Sequence, residues 1–311
     1  MIHVSGVGLL GSFMLHELQH RKVAFTWDDC ESRFTAHRAS TGAIIPCEDR
    51  DLELYAAGYR KWRDDAVKRS YLQRHLEPVE TIYVMKAPPQ RVTRKWTATT
   101  YGVNKIWRET LPGWQFDVDS FVVRARQLFQ ANRREVPPEG VRVVRSRGVM
   151  EGKDTPVTVW GWRVPVTITP KPNCQVWSRN GQRPVIHFND PDRTFERYYF
   201  HPRAGHPEVW WAGSEAVLQV RPMSAKDRAK IGFGRYLKTV ERRFGDQLEL
   251  KQLGPLEEGW RAKPKLVHKQ RYTEGFCREV DPGVFVAMPL YKSGVQCGPL
   301  YAEVILDKVL R

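Results

Sequence analysis

The 311-residue sequence predicts an α/β fold in which a strand–turn–helix–strand unit is interleaved with a mainly antiparallel β region. Three observations predict it. The first 29 residues alternate strand, glycine turn, helix and strand. From Val164 onward the chain breaks into short β-type runs bounded by turn residues. The last section returns to strand, glycine loop and helix, with no internal repeat or low-complexity linker in between.

Taken in order, Ile2-His3-Val4-Ser5 reads as a strand, followed by the frame Gly6-x-Gly8-x-x-Gly11 and an apolar-periodic run through Leu9, Leu10, Phe13, Met14, Leu15 and Leu18. The β-rich Val23–Trp27 stretch then ends in Asp28-Asp29. In this context each glycine has a task. Gly6 turns the chain sharply, Gly8 lets the backbone approach a pyrophosphate, and Gly11 lets the helix pack close to the sheet. The helix, opening at Leu9 and Leu10, directs unpaired N–H groups and a partial positive charge at the phosphates. Asp28 lies 22 residues past Gly6, where an acid meets a ribose hydroxyl, and Asp29 is the one-residue alternative.

Ser40-Thr41-Gly42 is small and polar, as a close approach to a cofactor requires. Leu52, Leu54, Tyr55, Tyr59 and Trp62 mark a helix, and Thr81 to Met85 a strand stopped by Pro88-Pro89. Between residues 91 and 114, cations alternate with Trp96, Tyr101, Trp107 and Trp114. These aromatics stack bases in one reading; in the other they are core residues on alternate strand faces. Phe121, Val122, Ala125, Leu128 and Phe129 share a helix face, and Arg142–Val144 and Val157–Trp160 read as strands, the second running into Gly161. Short β segments (VPVTITP, RPVIHFN, ERYYFHP, EVWWAGSEAVLQV) precede a helix over 229–245. The chain then closes with a strand, a glycine loop from Gly294 to Gly298 and a final helix.

Lys and Arg total 50 against 35 Asp and Glu, a net charge of +15 and a pI near 9.7. The excess recurs along the chain, at Arg91, Arg94 and Lys95; Arg133 and Arg134; Arg142, Arg145 and Arg147; Lys226, Arg228 and Lys230; and Lys263, Lys265, Lys269 and Arg271. A folded basic face fits this better than a disordered arm. It suits a polyanionic partner, since phosphates reward nearby cations by releasing counterions; a general solubility bias is the other explanation. The five cysteines lack CxxC spacing, which argues against a disulfide framework or zinc site. No apolar run approaches the ~18 residues of a membrane helix, and no charged leader precedes the first strand. A cytoplasmic protein without membrane contact is expected, its oligomeric state open.

The order of parts resembles the FAD-dependent D-amino-acid oxidase and glycine oxidase superfamily. The resemblance is carried by Gly6-Val7-Gly8-Leu9-Leu10-Gly11, ASTGAIIP, DVDSFVVRARQLF, VTVWGW, YYFHPRAGHPEVWWAGSE, GWRAKP and GVFVAMPLYKSGVQCGP, which span almost the full chain. It implies an FAD-binding Rossmann-like domain of glutathione-reductase type (1–80, 116–163 and 256–311) interleaved with a β substrate domain (81–115 and 164–255). FAD would contact Gly6, Gly8, Leu9, Leu10, Gly11, Asp28, Asp29, Ser40, Thr41, Gly42 and Gly161, with Gly294, Val295 and Gln296 as a second anchor. The sequence departs from the family in its short length, in Asp where Glu is usual after the second strand, in the bulky Trp160-Gly161-Trp162, and in Lys292-Ser293-Gly294 where a histidine-glycine pair is usual.

The implied chemistry is oxidation of an amine next to a carboxylate. Arg261 matches the family's carboxylate-holding arginine. Tyr199 resembles its substrate-side tyrosine, with Tyr198 the alternative because strand neighbours face opposite ways. His201 is a further polar candidate, otherwise an ordinary surface histidine; Lys263 and Lys292 are weaker candidates, for activating oxygen. Combined with the basic charge, the resemblance is closest in logic to the bacteriophage FAD enzymes of thymidine hypermodification. It points to a glycine-like adduct on modified DNA, or on tRNA, as substrate. The alternatives are a free small amine such as glycine or sarcosine, and a non-catalytic flavoprotein or basic binding module.

Overall fold

The computed structural model describes residues 1–29, 40–47, 53–86, 96–147, 157–190, 193–214, 234–263, 276–288 and 294–311. In chain order the strands and helices are β1 (Ile2–Ser5), α1 (Leu9–His20), β2 (Phe25–Asp28), β3 (Ala43–Ile44), α2 (Glu53–Asp64), α3 (Ser70–Gln73), β4 (Leu76–Met85), β5 (Trp96–Tyr101), β6 (Asn104–Glu109), β7 (Gly113–Phe116), α4 (Val118–Leu128) and β8 (Arg142–Arg145). They continue with β9 (Val157–Pro170), β10 (Pro184–Asp190), β11 (Arg193–Pro202), β12 (Trp210–Ser214), α5 (Arg235–Phe244), β13 (Leu248–Gln252), β14 (Glu257–Lys263), β15 (Phe276–Asp281), β16 (Val284–Met288) and α6 (Gly294–Leu310).

The fold is mixed α/β, as the sequence predicts. One sheet runs β15-β16-β8-β1-β2. β1 is parallel to β2 and β8, β8 is parallel to β16, and β15–β16 is an antiparallel hairpin. Period-2 alternation gives its central strands one apolar face. Ile2, Val4, Phe25, Trp27 and Val144 are all buried in a core shared with α1, α2, α4 and α6. Phe13 of α1 anchors that core, with ring centroids 4.8 Å from Phe121 and 5.9 Å from Phe116. Burying each such side chain contributes about 1.5–3 kcal/mol. α4 starts where Asp117 caps it, accepting the Ser120 N–H at 3.1 Å.

The closing helix begins earlier than the sequence suggests: Gly294 to Gly298 are its first turns and not a loop ahead of it. Two contacts hold this start in place. Pro299 has no N–H to give the Val295 carbonyl four residues back, and the Trp62 indole supplies a donor to that carbonyl at 3.0 Å. The Gln296 amide meanwhile bonds both backbone groups of Ile45, at 3.0 and 2.8 Å.

Among the described residues the second sheet has eleven strands, with the main path β13-β9-β12-β11-β10-β4-β6-β5; β14 adds to β9, and β7 links β3 to β4. Val157–Trp160 and VPVTITP, read from the sequence as separate strands, are one strand, β9. Gly161 therefore sits mid-strand, opposite Gly259 of β14. The extended backbone continues through it because β14 pairs with residues 157–163 while β12 and β13 take over at 163–166 and 166–170. One face of the sheet is apolar. Ile82, Val84, Trp162, Val164, Ile186, Phe188, Tyr198 and Phe200 form a core with Tyr236, Val240 and Phe244 of α5. Of the helix predicted over 229–245, residues 229–233 lie outside the described residues.

The aromatics between 96 and 114 serve packing wherever their side chains are described. Tyr101 donates to the Arg243 carbonyl and stacks on Phe244; Trp107 is buried and donates to the Met85 carbonyl; Trp114 packs on the helical core. Among the described residues, no helix is long and apolar enough to cross a membrane.

Candidate functional site

The glycine turn is built as its spacing demands. Gly6 has φ +94°, in the region that favours glycine, and a Cβ on Gly11 would sit 2.4 Å from the Gly6 carbonyl oxygen. Gly8 is the N-cap of α1; no side chain caps the helix and its first turn holds no acid. The N–H groups of Leu9, Leu10 and Gly11 therefore have no partner within the helix and form an anion-ready end. Two guanidiniums flank the turn. Arg126 donates to the Val7 carbonyl at 3.0 Å, and Arg147 donates through Nε to Ser5 Oγ at 2.8 Å. Leu10 is buried and Leu9 half-buried against the helical core.

Both candidate ribose acids are held by the protein. The Asp28 carboxylate receives the Ser5 hydroxyl at 2.8 Å, pairs with His3 Nε2 at 3.0 Å and lies 3.4 Å from Arg147. Burial alone would raise its pKa, but the His3 and Ser5 hydrogen bonds and the Arg147 charge together bring it below the usual carboxyl value. Asp29 forms an ion pair with Arg126 at 2.6 Å. His3, Ser5, Thr26 and Asp28 are all buried on the sheet face opposite the helical core, with His3 Nδ1 2.9 Å from Thr26 Oγ1.

Ser40, Thr41 and Gly42 lie against the large sheet. The Ser40 carbonyl accepts from Arg163 and the Thr41 carbonyl from Gln115, while the Gly42 carbonyl takes the Phe116 N–H at 2.9 Å. Thr41 Oγ1 lies 2.6 Å from His201 Nδ1. Val295 and Gln296 are buried in the first turn of α6, their carbonyl and side-chain amide engaged with Trp62 and Ile45.

The face of the large sheet opposite its apolar core carries one continuous row. Register aligns Arg163 of β9 with Gly213, Gly213 with Tyr199, Tyr199 with His187, His187 with Tyr83, and Tyr83 with Trp107. Because Gly213 has no side chain, the Tyr199 ring reclines across it: a Cβ there would meet the ring and its hydroxyl at 2.5 Å. Tyr199 stacks on His201 at 4.4 Å, and Tyr83 on His187 at 5.2 Å. Tyr198 points the other way, into the core beside Phe188 and Tyr236. Arg163, its side chain 3 % exposed, pairs with Asp119 and with Glu257 at 2.6 Å, and stacks over Trp211 at 3.9 Å.

His201 is not a surface histidine. Its ring is fully buried, because an odd-numbered position on β11 faces the junction with residues 40–42, and burial followed by the neighbouring His187 pushes its pKa well below the usual value. The backbone of Arg261 lies opposite Val159; its side chain, like that of Lys263, lies outside the described residues, as does Lys292 entirely. Of the basic groups, Arg133, Arg134, Arg142 and Arg147 are exposed. Arg91, Arg94, Lys95, Lys226, Arg228, Lys230, Lys265, Lys269 and Arg271 lie outside the described residues.

Sequence reasoning missed Arg163, His187 and Tyr83, and counted Arg147 only among the spread of basic residues. The available signal was a polar residue interrupting an apolar strand run, as Arg163 does in GWRVPV and His187 in VIHFN.

No protein-family model matches the sequence, and no curated protein matches it. Solved structures do match the fold. The chain is similar to iminodiacetate oxidase from Chelativorans sp. BNC1 at 12 % identity and TM-score 0.69, covering 100 % of this chain and 95 % of that one. Glycine oxidase from Geobacillus kaustophilus matches at 12 % and 0.66, over 100 % and 94 %. The fructosyl amine:oxygen oxidoreductase Amadoriase I from Aspergillus fumigatus matches at 13 % and 0.65, over 99 % and 86 %. At these identities the likeness establishes the fold.

Proposed function

We propose that the chain is an FAD-dependent amine oxidoreductase acting on a C–N bond. Its proposed substrate is a glycine-like adduct on a nucleobase, N-glycyl-methyl-deoxyuridine in DNA, cleaved to the aminomethyl base and glyoxylate. One observation carries the redox half of this reading. In a fold shared with oxidases of amines and amino acids, a backbone-built anion cradle is tied through α4, whose Arg126 bonds the Val7 carbonyl and whose Asp119 pairs with Arg163, to a sheet face bearing tyrosine and histidine in a single row.

The chain's own groups suit the cofactor. The Gly6–Gly11 turn, the uncapped α1 end and the flanking Arg126 and Arg147 match a pyrophosphate. Asp28 and Asp29 reach a ribose only by exchanging partners they already hold. When bound, the flavin supplies the acceptor for the hydride that leaves the substrate α-carbon. Tyr83, Tyr199 and Trp107 form an apolar wall that keeps water from the reacting carbon. Arg261 is the proposed partner of the substrate carboxylate. Arg163, already engaged by two carboxylates, serves to brace the 40–42 segment. Hydrolysis of the resulting imine consumes one water and releases glyoxylate.

The nucleic-acid half rests on the +15 charge and its spread along the folded chain. A second reading, oxidation of free glycine or sarcosine, is favoured by two fold neighbours, glycine oxidase and iminodiacetate oxidase; a carboxymethylaminomethyl uridine in tRNA is a third substrate of the same chemistry.

One experiment separates them. Purified protein is scanned for flavin absorbance, then incubated with glycyl-modified thymidine DNA, modified tRNA and free glycine; nucleosides and glyoxylate are read by mass spectrometry. The expected result is a yellow protein that converts the DNA adduct and binds DNA with a steep salt dependence. Turnover of free glycine alone overturns the DNA reading, and a colourless protein that takes up no flavin overturns the whole.

A further inference from the structure

Arg203 follows β11 directly, and its N–H bonds the Val209 carbonyl at 2.8 Å, so strand alternation carries on through it. It therefore falls on the sheet side that holds Tyr199 and His201, about 7 Å along the strand from His201. Its side chain agrees with that placement. The guanidinium lies over the Trp211 ring, with Cζ 5.2 Å from the centroid, and Trp211 is buried directly opposite His201. Arg163 lies over the same ring at 3.9 Å.

The arginines sunk into this sheet differ in what they hold. Arg163 is neutralised by Asp119 and Glu257. Arg108 holds Glu80 and the carbonyls of Gln175 and Trp177. Arg183, over the Trp210 ring, holds Glu77 and the carbonyls of Arg203, His206, Pro207 and Val209. Arg203 is half-buried as well, yet among the described residues no carboxylate lies within ion-pair distance of it and no oxygen accepts from its guanidinium. Its Nε is shielded from solvent without a hydrogen-bond partner.

A guanidinium is a planar fork of N–H donors that matches the paired oxygens of a carboxylate or a phosphate. The Arg203 Nε–H is withdrawn from solvent and has no acceptor among the described residues, a cost that an oxyanion carried by a ligand removes. Contact with Trp211 restricts the orientations of the fork, so less freedom is lost when it binds.

We propose that Arg203 is an oxyanion-binding residue of the substrate face, its Nε–H and one terminal N–H donating to two oxygens of a carboxylate or a phosphate. This rests on the function reading above: the oxyanion belongs to the substrate, as the carboxylate of its glycyl group or a phosphate of the nucleic-acid backbone. Arg163 does not serve in this role, because two carboxylates already occupy it.

Two measurements test the proposal. The first needs no turnover. Arginine Nε–H signals of the purified protein are followed by 15N NMR during titration with sodium acetate and, separately, with dimethyl phosphate at constant ionic strength. The Arg203 signal is identified by its loss in Arg203→Lys, with Arg203→Gln as the second variant. It is expected to shift saturably with at least one anion; a signal that neither moves overturns the proposal. The second is steady-state kinetics of both variants with sarcosine and with the glycyl-modified oligonucleotide. KM is expected to rise about 10–100-fold with kcat nearly held, and less in Arg203→Lys than in Arg203→Gln. A rise with sarcosine identifies the carboxylate. A rise confined to the oligonucleotide, with the salt slope of binding reduced by about 1, identifies a phosphate. An unchanged KM for both substrates overturns the proposal. A wild type that oxidises no amine sinks the function reading, while the NMR titration still decides whether Arg203 takes an oxyanion.

Discussion

The two sheets make their working faces in different ways. In the β1-centred sheet, the business end is backbone: a glycine turn, uncapped N–H groups and two arginines bonded to Val7 and Ser5. In the large sheet it is side chains, brought into one row by register across six strands. Each sheet keeps its other face dry. A backbone site tolerates almost no added volume, whereas a side-chain site tolerates volume but fails when a partner or its protonation state changes.

The sharpest break of this contrast is Gly11→Ala. Its Cβ would meet the Gly6 carbonyl at 2.4 Å, and neither backbone can yield alone. The expected loss is about 3–4 kcal/mol in urea denaturation, together with loss of bound flavin by absorbance.

Next is a pH effect in the helical core. His16, packed against Tyr71 and Phe121, has its pKa lowered from 6.5 to about 4, by burial first and then by His75 and Arg74. The unfolded chain takes up a proton below pH 6.5 that the folded one refuses until about pH 4. The stability this group contributes is therefore full above pH 6.5 and falls as pH drops to 4, by about 3 kcal/mol. His16→Phe keeps the packing and should flatten that slope in denaturation curves at pH 7, 5.5 and 4.5; an unchanged slope removes His16 as its source.

Arg163→Met tests the side-chain site. Asp119 and Glu257 lose their shared partner, but both are partly exposed, so the expected cost is about 2 kcal/mol. Amine turnover should fall further than stability does, because the 40–42 segment loses its brace; equal losses would make Arg163 a stability element only.

The smallest effect is Trp62→Phe, about 1 kcal/mol, from leaving the Val295 carbonyl without the indole donor. Pro299→Ala restores a helical N–H to that carbonyl and should stabilise the Trp62→Phe background more than wild type. A double-mutant cycle showing simple additivity would break this account.

Much was legible locally. The Gly6–Gly11 spacing announces a turn whose tightness is local, Gly11 lying against the Gly6 carbonyl, and strand alternation was enough to separate Tyr198 from Tyr199. Other readings failed for tertiary reasons. Val157–Trp160 and VPVTITP join into one strand because β14 continues the ladder past Gly161. Gly294–Gly298 is helical because Trp62 and Ile45, far away in sequence, secure its first turn through Val295 and Gln296. His201 is enclosed because residues 40–42 cover its strand.

By itself, the sequence determined the alternation of strand, turn and helix at the start, the antiparallel β region and the net positive charge, since these depend on neighbouring residues and on composition. The tertiary structure alone decided that Arg163, Tyr199, His187, Tyr83 and Trp107 share one row, that Asp28 turns inward to His3 and Ser5, and that Thr41 meets His201. Those placements depend on which strands pair and in what register, a choice made by burial of whole faces at once and not by any short stretch of chain.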